Sequence, residues 1–260
     1  MNKTGMRTRV PVFCVKHRQL CRTDNPMALP QRIILFAKRR PIVFCLLCLL
    51  LLYACNIGRY LVWPPMWTLD KENPDSTAFM EYRQEQWEDA DAKVKVSWTW
   101  KSLSRISPNL RRAVIVAEDS TFWEHRGFDW EGMRIALDKN IDRGRLSAGG
   151  STITQQLAKN LYLSPEKSIT RKLQEAVLTW RLEMNLSKER ILEIYLNVVE
   201  WGKGVYGAEA AARRYFGVSA ANLSKSQAAT LAAMLPDPLH RSPNSRGVQK
   251  LAAIILRRMR

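Results

Sequence analysis

Fourteen apolar residues in succession, Ile42 to Cys55 (IVFCLLCLLLLYAC), constrain this chain more than anything else in it. Asn56 interrupts the run, but Ile57, Gly58, Tyr60, Leu61, Val62 and Trp63 continue it, and Arg59 can snorkel toward headgroups. As a helix, residues 41–63 span roughly 30 Å at about 1.5 Å per residue, the depth of a hydrocarbon core. Lys38, Arg39 and Arg40 precede the run, and Trp63 and Trp67 flank its far end. The positive-inside rule therefore places residues 1–40 in the cytoplasm and 64–260 outside. A cleaved signal peptide has a shorter basic leader and a shorter apolar core. Leu52-Tyr53-Ala54-Cys55 makes a poor lipoprotein cleavage box because of Tyr53. The reading is a single uncleaved anchor.

Charge and cysteine follow the same division. The 260 residues carry a net charge of +17, and residues 1–56 hold 10 Lys or Arg against one acid, Asp24. The rest has 31 cations against 23 acids, a modest excess for an ordinary surface. Topology and anionic lipid account for the basic tail without a nucleic-acid partner. All five cysteines (Cys14, Cys21, Cys45, Cys48, Cys55) lie in the first 55 residues, as expected if the tail faces a reducing compartment and the main domain does not. Their spacing suits no zinc site.

Beyond the anchor, residues 64–76 read as a linker broken by Pro64, Pro65 and Pro74. A short helix is expected over Thr77–Asp89 and one strand over Val94–Trp98. The remainder reads as helix. Ser107-Pro108 is an N-cap with proline at the first helical position, Ser187 caps another helix, and Ser224 with Gln227 forms a capping box closed downstream by Pro236. Ala208–Phe216 is a helix stopped by Gly217, and 248–260 is a basic surface helix. Residues 77–260 therefore read as one mainly α domain.

Several groups could carry chemistry. Glu118 lies four residues past Val114 and eight past Leu110, on the apolar stripe of its helix. A carboxylate there is either paired by neighbouring donors or raised in pKa, and a raised pKa suits a general base. Gly149-Gly150 precede Ser151, Thr152, Thr154, Gln155 and Gln156, a density of hydrogen-bonding side chains beyond what one helix cap needs. The N–H groups of that helix make an anion site, with Lys159 on one side. Lys167, Arg171 and Glu175 stand four apart on one face. They read as a diphosphate site with its counter-ion or as a surface ion-pair ladder. Leu173, Val177, Trp180 and Met184 on the same helix read as core. Phe122, Trp123, Phe128, Trp130 and Met133 read either as an interfacial patch or as core. Trp201–Gly207 reads as a tight glycine turn. His17, His125 and His240 are too scattered for a metal triad.

Together these segments resemble the motifs of bacterial peptidoglycan glycosyltransferases. Glu118-Asp119 through Phe122, His125 and Gly127 is similar to E-D-x-x-F-x-x-H-x-G. Residues 149–161 (GGSTITQQLAKNL) resemble the second motif, Arg171-Lys172 to Glu175 the third, 191–217 the fourth and 223–236 the fifth. Lys167 departs from the commoner Arg, losing a bidentate fork but keeping the charge, and Gln227 departs from the commoner Glu. The resemblance implies a mainly α, lysozyme-like fold of head and jaw lobes that polymerises lipid II into β-1,4 strands and releases undecaprenyl diphosphate. It also implies a catalytic pair, Glu118 and Glu175, with substrate contacts from Asp119, Phe122, Ser151, Thr154, Gln155, Gln156, Lys159, Lys167, Arg171, Tyr195 and Asn197. A divalent cation, Mg²⁺ or Mn²⁺, would be held through the substrate diphosphate, with no organic cofactor. The implied setting is the bacterial inner membrane, single-pass, with lipid II and the nascent lipid-linked glycan as substrates and cell-division or elongation proteins as candidate partners.

Overall fold

The computed structural model describes residues 29–142 and 150–259. Gly149, most of the basic tail, Cys14, Cys21, His17 and Asp24 lie outside the described residues. The chain divides into two compact units between Leu51 and Leu52. The first contains α1 (Leu29–Arg39) and most of α2 (Pro41–Gly58). Among the described residues, one continuous stretch, Pro41–Asp70, is long and apolar enough to cross a membrane, and the protein buries none of its apolar window.

The second unit is almost wholly helical. After α3 (Ala78–Asp89) and a two-residue strand β1 (Ser97–Trp98) come α4 (Pro108–Glu118), α5 (Trp130–Asp142), α6 (Ile153–Tyr162), α7 (Ile169–Asn185) and α8 (Lys188–Val198). A hairpin of β2 (Glu200–Gly202) and β3 (Val205–Tyr206) leads into α9 (Gly207–Phe216), α10 (Lys225–Met234) and α11 (Arg246–Arg258). The helices begin where hydroxyl side chains satisfy their free N–H groups. Thr77, Ser107, Ser168 and Ser187 each accept from a first-turn amide, and Thr152–Gln155 and Ser224–Gln227 close full capping boxes. α10 packs between α4 and α11, while α6 packs against α3, α7 and α8, and one apolar core runs through both groups.

Three expectations change. The strand expected over 94–98 shrinks to Ser97–Trp98, and the glycine turn at 201–207 is itself a hairpin, giving a small sheet in the order β1-β3-β2. Residues 64–76 are docked on the domain and not a free linker. Met66 and Leu69 are buried, Arg181 donates to the carbonyls of Tyr60, Val62 and Pro64, and Arg190 to those of Leu69 and Glu72. On α7 the expected core face is the exposed one. Leu178, Thr179 and Leu182 turn inward, whereas Leu173, Trp180 and Met184 remain in the open. Both stripes have helical spacing, and the polar Thr179 and Glu175 on the inner one hid it.

Asn197 also departs from its expected substrate role. It is fully buried on α8, where Nδ2 donates to the carbonyls of Lys101 and Glu193, each at 2.8 Å, and Oδ1 accepts from Lys101 N at 2.8 Å. Its own carbonyl accepts from Trp98 Nε1 at 2.7 Å. The side chain stitches the segment after β1 to α8. Asn197→Ala removes three side-chain hydrogen bonds and leaves the half-buried Lys101 amide and carbonyl without them, at an expected cost of about 2–4 kcal/mol in denaturant unfolding. A loss below about 0.5 kcal/mol, the level of an ordinary surface change, would contradict this role.

Candidate active site

Glu118 is the last residue of α4, and Gln156, on the second turn of α6, donates from Nε2 to its Oε2 at 2.7 Å. Tyr195 Oη donates to Gln156 Oε1 at 2.9 Å, which fixes the amide with its NH₂ toward the carboxylate. Tyr195 is fully buried, and burial with the nearby Glu118 and Asp119 charges pushes its pKa well above the usual phenol range. It therefore stays a donor. Burial pushes the Glu118 pKa up, and the Gln156 hydrogen bond and the charges of Lys159 and Arg241 draw it part of the way back. One carboxylate oxygen is thus held by Gln156, and Oε1 makes no hydrogen bond among the described residues.

Asp119, the next residue, faces inward. Its Oδ2 accepts from Ile153 N at 3.0 Å, the first amide of α6, and its Oδ1 lies 2.9 Å from His125 Nε2. Gly127 N donates to His125 Nδ1 at 3.1 Å, so the imidazole proton sits on Nε2 and points at Asp119. Thr152 Oγ1 in turn donates to the carbonyl of Gly127 at 2.7 Å. Gly127 has φ +86°, and a Cβ there would lie 2.8 Å from Thr179 Cγ2, so the turn closes only with glycine. These contacts tie the 119–129 loop to the start of α6 and set Glu118 opposite Gln156.

A second cluster stands on α7. The buried Glu175 accepts from Arg171 Nη1 at 2.6 Å with one oxygen and from Lys172 Nζ with the other. Lys172 also reaches Ser151 Oγ at 3.3 Å, joining α7 to the start of α6. Lys159, one turn beyond Gln156, lies within electrostatic reach of both carboxylates. Burial draws its pKa down, and Glu175 and Glu118 oppose that. A polar hollow of about 160 Å³ opens beside this arrangement, lined by Glu118, Asp119, Asp129, Gly150, Ser151 and Thr152 among others.

The structure thus brings together Glu118, Gln156, Tyr195, Lys159, Ser151, Arg171 and Glu175. It sets others apart from the hollow. Phe122 is wholly buried, edge-on to Trp123 at 5.0 Å between centroids, with Lys188 Nζ 4.5 Å above its ring. Thr154 donates to Glu183 at 2.5 Å, and Gln155 is used in the Thr152 capping box. Phe122, Thr154 and Gln155 support the site from within, whereas Asp119 both clamps the loop and lines the hollow. Lys167 is exposed and makes no ion pair among the described residues. The aromatic patch divides, with Phe122 in the core and Trp123 and Trp130 exposed. Sequence reading passed over Lys172 and Arg241. Lys172 was visible as the i, i+3 neighbour of Glu175, whereas Arg241 follows α10 in a segment without periodicity.

The donors here suit an anion. Among the described residues, no group of three or more His, Cys, Asp or Glu is placed to hold a metal, and both Glu175 oxygens are already engaged by cations.

Comparison with known proteins gives a consistent result. The transglycosylase family model matches residues 86–260. A protein of Aromatoleum aromaticum named biosynthetic peptidoglycan transglycosylase is 53% identical over 197 residues, covering 76% of this chain and 84% of its own. Proteins of the same name from Dechloromonas aromatica and Laribacter hongkongensis are 49% and 48% identical, over 78% and 84% of this chain and 91% and 94% of theirs.

Because the Gln156 hydrogen bond favours the ionised carboxylate, Gln156→Ala is expected to move the Glu118 titration to higher pH. Tyr195→Phe, which frees the amide to turn, is expected to do so less. Carboxyl ¹³C NMR of the labelled protein follows both, and an unchanged or lowered titration would contradict the arrangement.

Proposed function

The chain belongs to the peptidoglycan transglycosylase family, and from that premise we propose that it polymerises lipid II, with Glu118 as general base and Lys159, Arg171 and Lys172 as the diphosphate-binding cations. It is a peptidoglycan glycosyltransferase, and its substrate is a lipid-linked glycan. The observation that carries the finer reading is the placement of Lys159 on α6, three residues past the Gln156 that holds Glu118 and within electrostatic reach of the Glu175 that Arg171 and Lys172 bind.

In this reading Glu118 Oε1 takes the proton from the 4-hydroxyl of the acceptor as that oxygen attacks C1 of the donor. The C1–O bond to the diphosphate breaks, its electron pair leaves with undecaprenyl diphosphate, and the α-linkage inverts to β-1,4. Diphosphate needs charge neutralisation more than protonation, so one base and a cationic cluster suffice. A glycosidase, by contrast, uses two carboxylates about the scissile bond. Glu175, with both oxygens bound to Arg171 and Lys172, is a positioning residue that aims those cations. Ser151, bonded to Lys172, completes the phosphate path, and the exposed Lys167 is free to reach for a substrate phosphate. A divalent ion, Mg²⁺ or Mn²⁺, would be held through the substrate diphosphate, as no group of three or more His, Cys, Asp or Glu among the described residues is placed to hold one, and would add charge neutralisation there.

The position of α7 supports a membrane setting. Thr170 lies 3.4 Å from Tyr53 Oη, and Gln174 donates to Asn56 at 2.7 Å, so the helix bearing Arg171 and Glu175 begins beside the end of the apolar segment. Ile169, Leu173, Trp180 and Met184 form an exposed apolar stripe along it. α2 then serves as a single-pass anchor in the inner membrane, with the basic tail cytoplasmic and the catalytic unit periplasmic. That brings the site to the height at which lipid-borne diphosphates sit.

Incubation with labelled lipid II tests this reading. The protein is expected to make glycan strands, and Glu118→Gln to lose about three orders of magnitude in rate. Since burial raises the folded-state pKa of Glu118, its ionisation costs stability increasingly as pH rises above 4.5. The neutral isostere is therefore expected to unfold at the same or a higher temperature at neutral pH. Wild-type turnover by Glu118→Gln, or cleavage of finished sacculi in place of polymerisation, would contradict the proposal.

A further inference from the structure

A second hollow, of about 600 Å³, lies where β1, the β2–β3 hairpin and α9 meet. Its wall carries five cations, Lys93, Lys95, Lys203, Arg213 and Arg214, and no acid. Arg213 is paired, its Nε 3.0 Å from Glu209 Oε1. The other four have no carboxylate within ion-pair distance among the described residues. Repulsion among them is uncompensated, an arrangement that ordinary surface charge mixing avoids.

The scaffold beneath is rigid. Ser97 N donates to the carbonyl of Gly204 at 2.7 Å, and β1 runs parallel to β3 with Ser97 opposite Val205. Gly204 has φ +70°, and a Cβ there would lie 2.8 Å from the Lys95 carbonyl, so the hairpin backbone is pressed directly onto the segment bearing Lys93 and Lys95. Lys203 is held at the tip of the same hairpin. The cations therefore stand in a concave array on a hydrogen-bonded backbone, and Trp98, next along β1, bonds to α8 two residues beyond Tyr195.

The array points to one kind of occupant. No aromatic side chain lines it, so nothing is present to stack on a nucleobase. It is concave and has no exposed aromatic or large aliphatic wedge, unlike a surface that lies on a bilayer. Three of the five cations are lysines, flexible point charges without a fixed fork, and these suit spaced carboxylates on a chain better than one immobilised phosphate. We propose that this basic hollow is a docking groove for a carboxylate-bearing chain, the growing glycan strand with its peptide side chains. The identity of that chain rests on the polymerase reading above. Held there by several weak contacts, a strand stays near the enzyme between additions and can still slide.

The test uses the full-length protein in detergent with purified uncrosslinked strands as probe, in parallel with strands whose peptide carboxylates are amidated. The variant Lys93→Gln/Lys95→Gln/Lys203→Gln is expected to bind intact strands about tenfold more weakly than wild type. That difference is expected to disappear with amidated strands and at high salt. Its initial rate on lipid II is expected to match wild type, because these lysines lie outside the catalytic cluster. Equal binding of intact strands by variant and wild type would overturn the groove, as would a charge-dependent preference for anionic phospholipid vesicles or an acidic peptide over strands. Failure of the wild type to polymerise lipid II bears instead on the proposed function, since strand binding is read without turnover.

Discussion

The architecture of the site turns on one half-buried ammonium. Lys159 sits on α6 between a carboxylate at the end of α4 and another on α7, and burial alone would drive it toward neutrality. The two carboxylates oppose that shift, Arg171 and Lys172 add to it, and Lys159 in turn favours the ionised form of Glu118 in surroundings that disfavour it. Each charge is tolerable because of the others. Since the three groups come from three helices, the placement of α4, α6 and α7 is also what sets the electrostatics.

Much of the polar interior serves to hold that geometry. Asp119 binds the first amide of α6, Thr152 binds the loop that returns from His125, and Tyr195 turns the Gln156 amide toward Glu118. None of these needs to meet a ligand, yet each removes a degree of freedom from the base. The same economy explains α7, whose inner face carries Glu175 and Thr179 among leucines, while its outer face leaves Trp180 and Met184 in the open.

What the sequence shows follows from the range of the interactions. Helix starts at Ser107, Ser187 and Ser224 are local hydrogen-bonding events, visible from spacing alone and present as expected. Glu118 was legible because an acid on an apolar stripe is costly anywhere. Side-chain direction across elements was not. Phe122, Thr154, Gln155 and Asn197 belong to motifs that read as substrate contacts, but long-range packing turns each inward. The β2–β3 hairpin is too short for its alternation to register, and the docking of residues 64–76 depends on Arg181 and Arg190, more than a hundred residues away. Arg241 is near Glu118 only because α10 returns beside α4.

The most direct test of this coupling is the pH dependence of strand formation in Lys159→Met. Lys159 favours the ionised form of Glu118, so its removal should shift the acidic limb of the rate profile to higher pH while the limiting rate falls. A limb that stays at the wild-type pH would show that Lys159 and Glu118 do not act on one another, and the account of the site would fail.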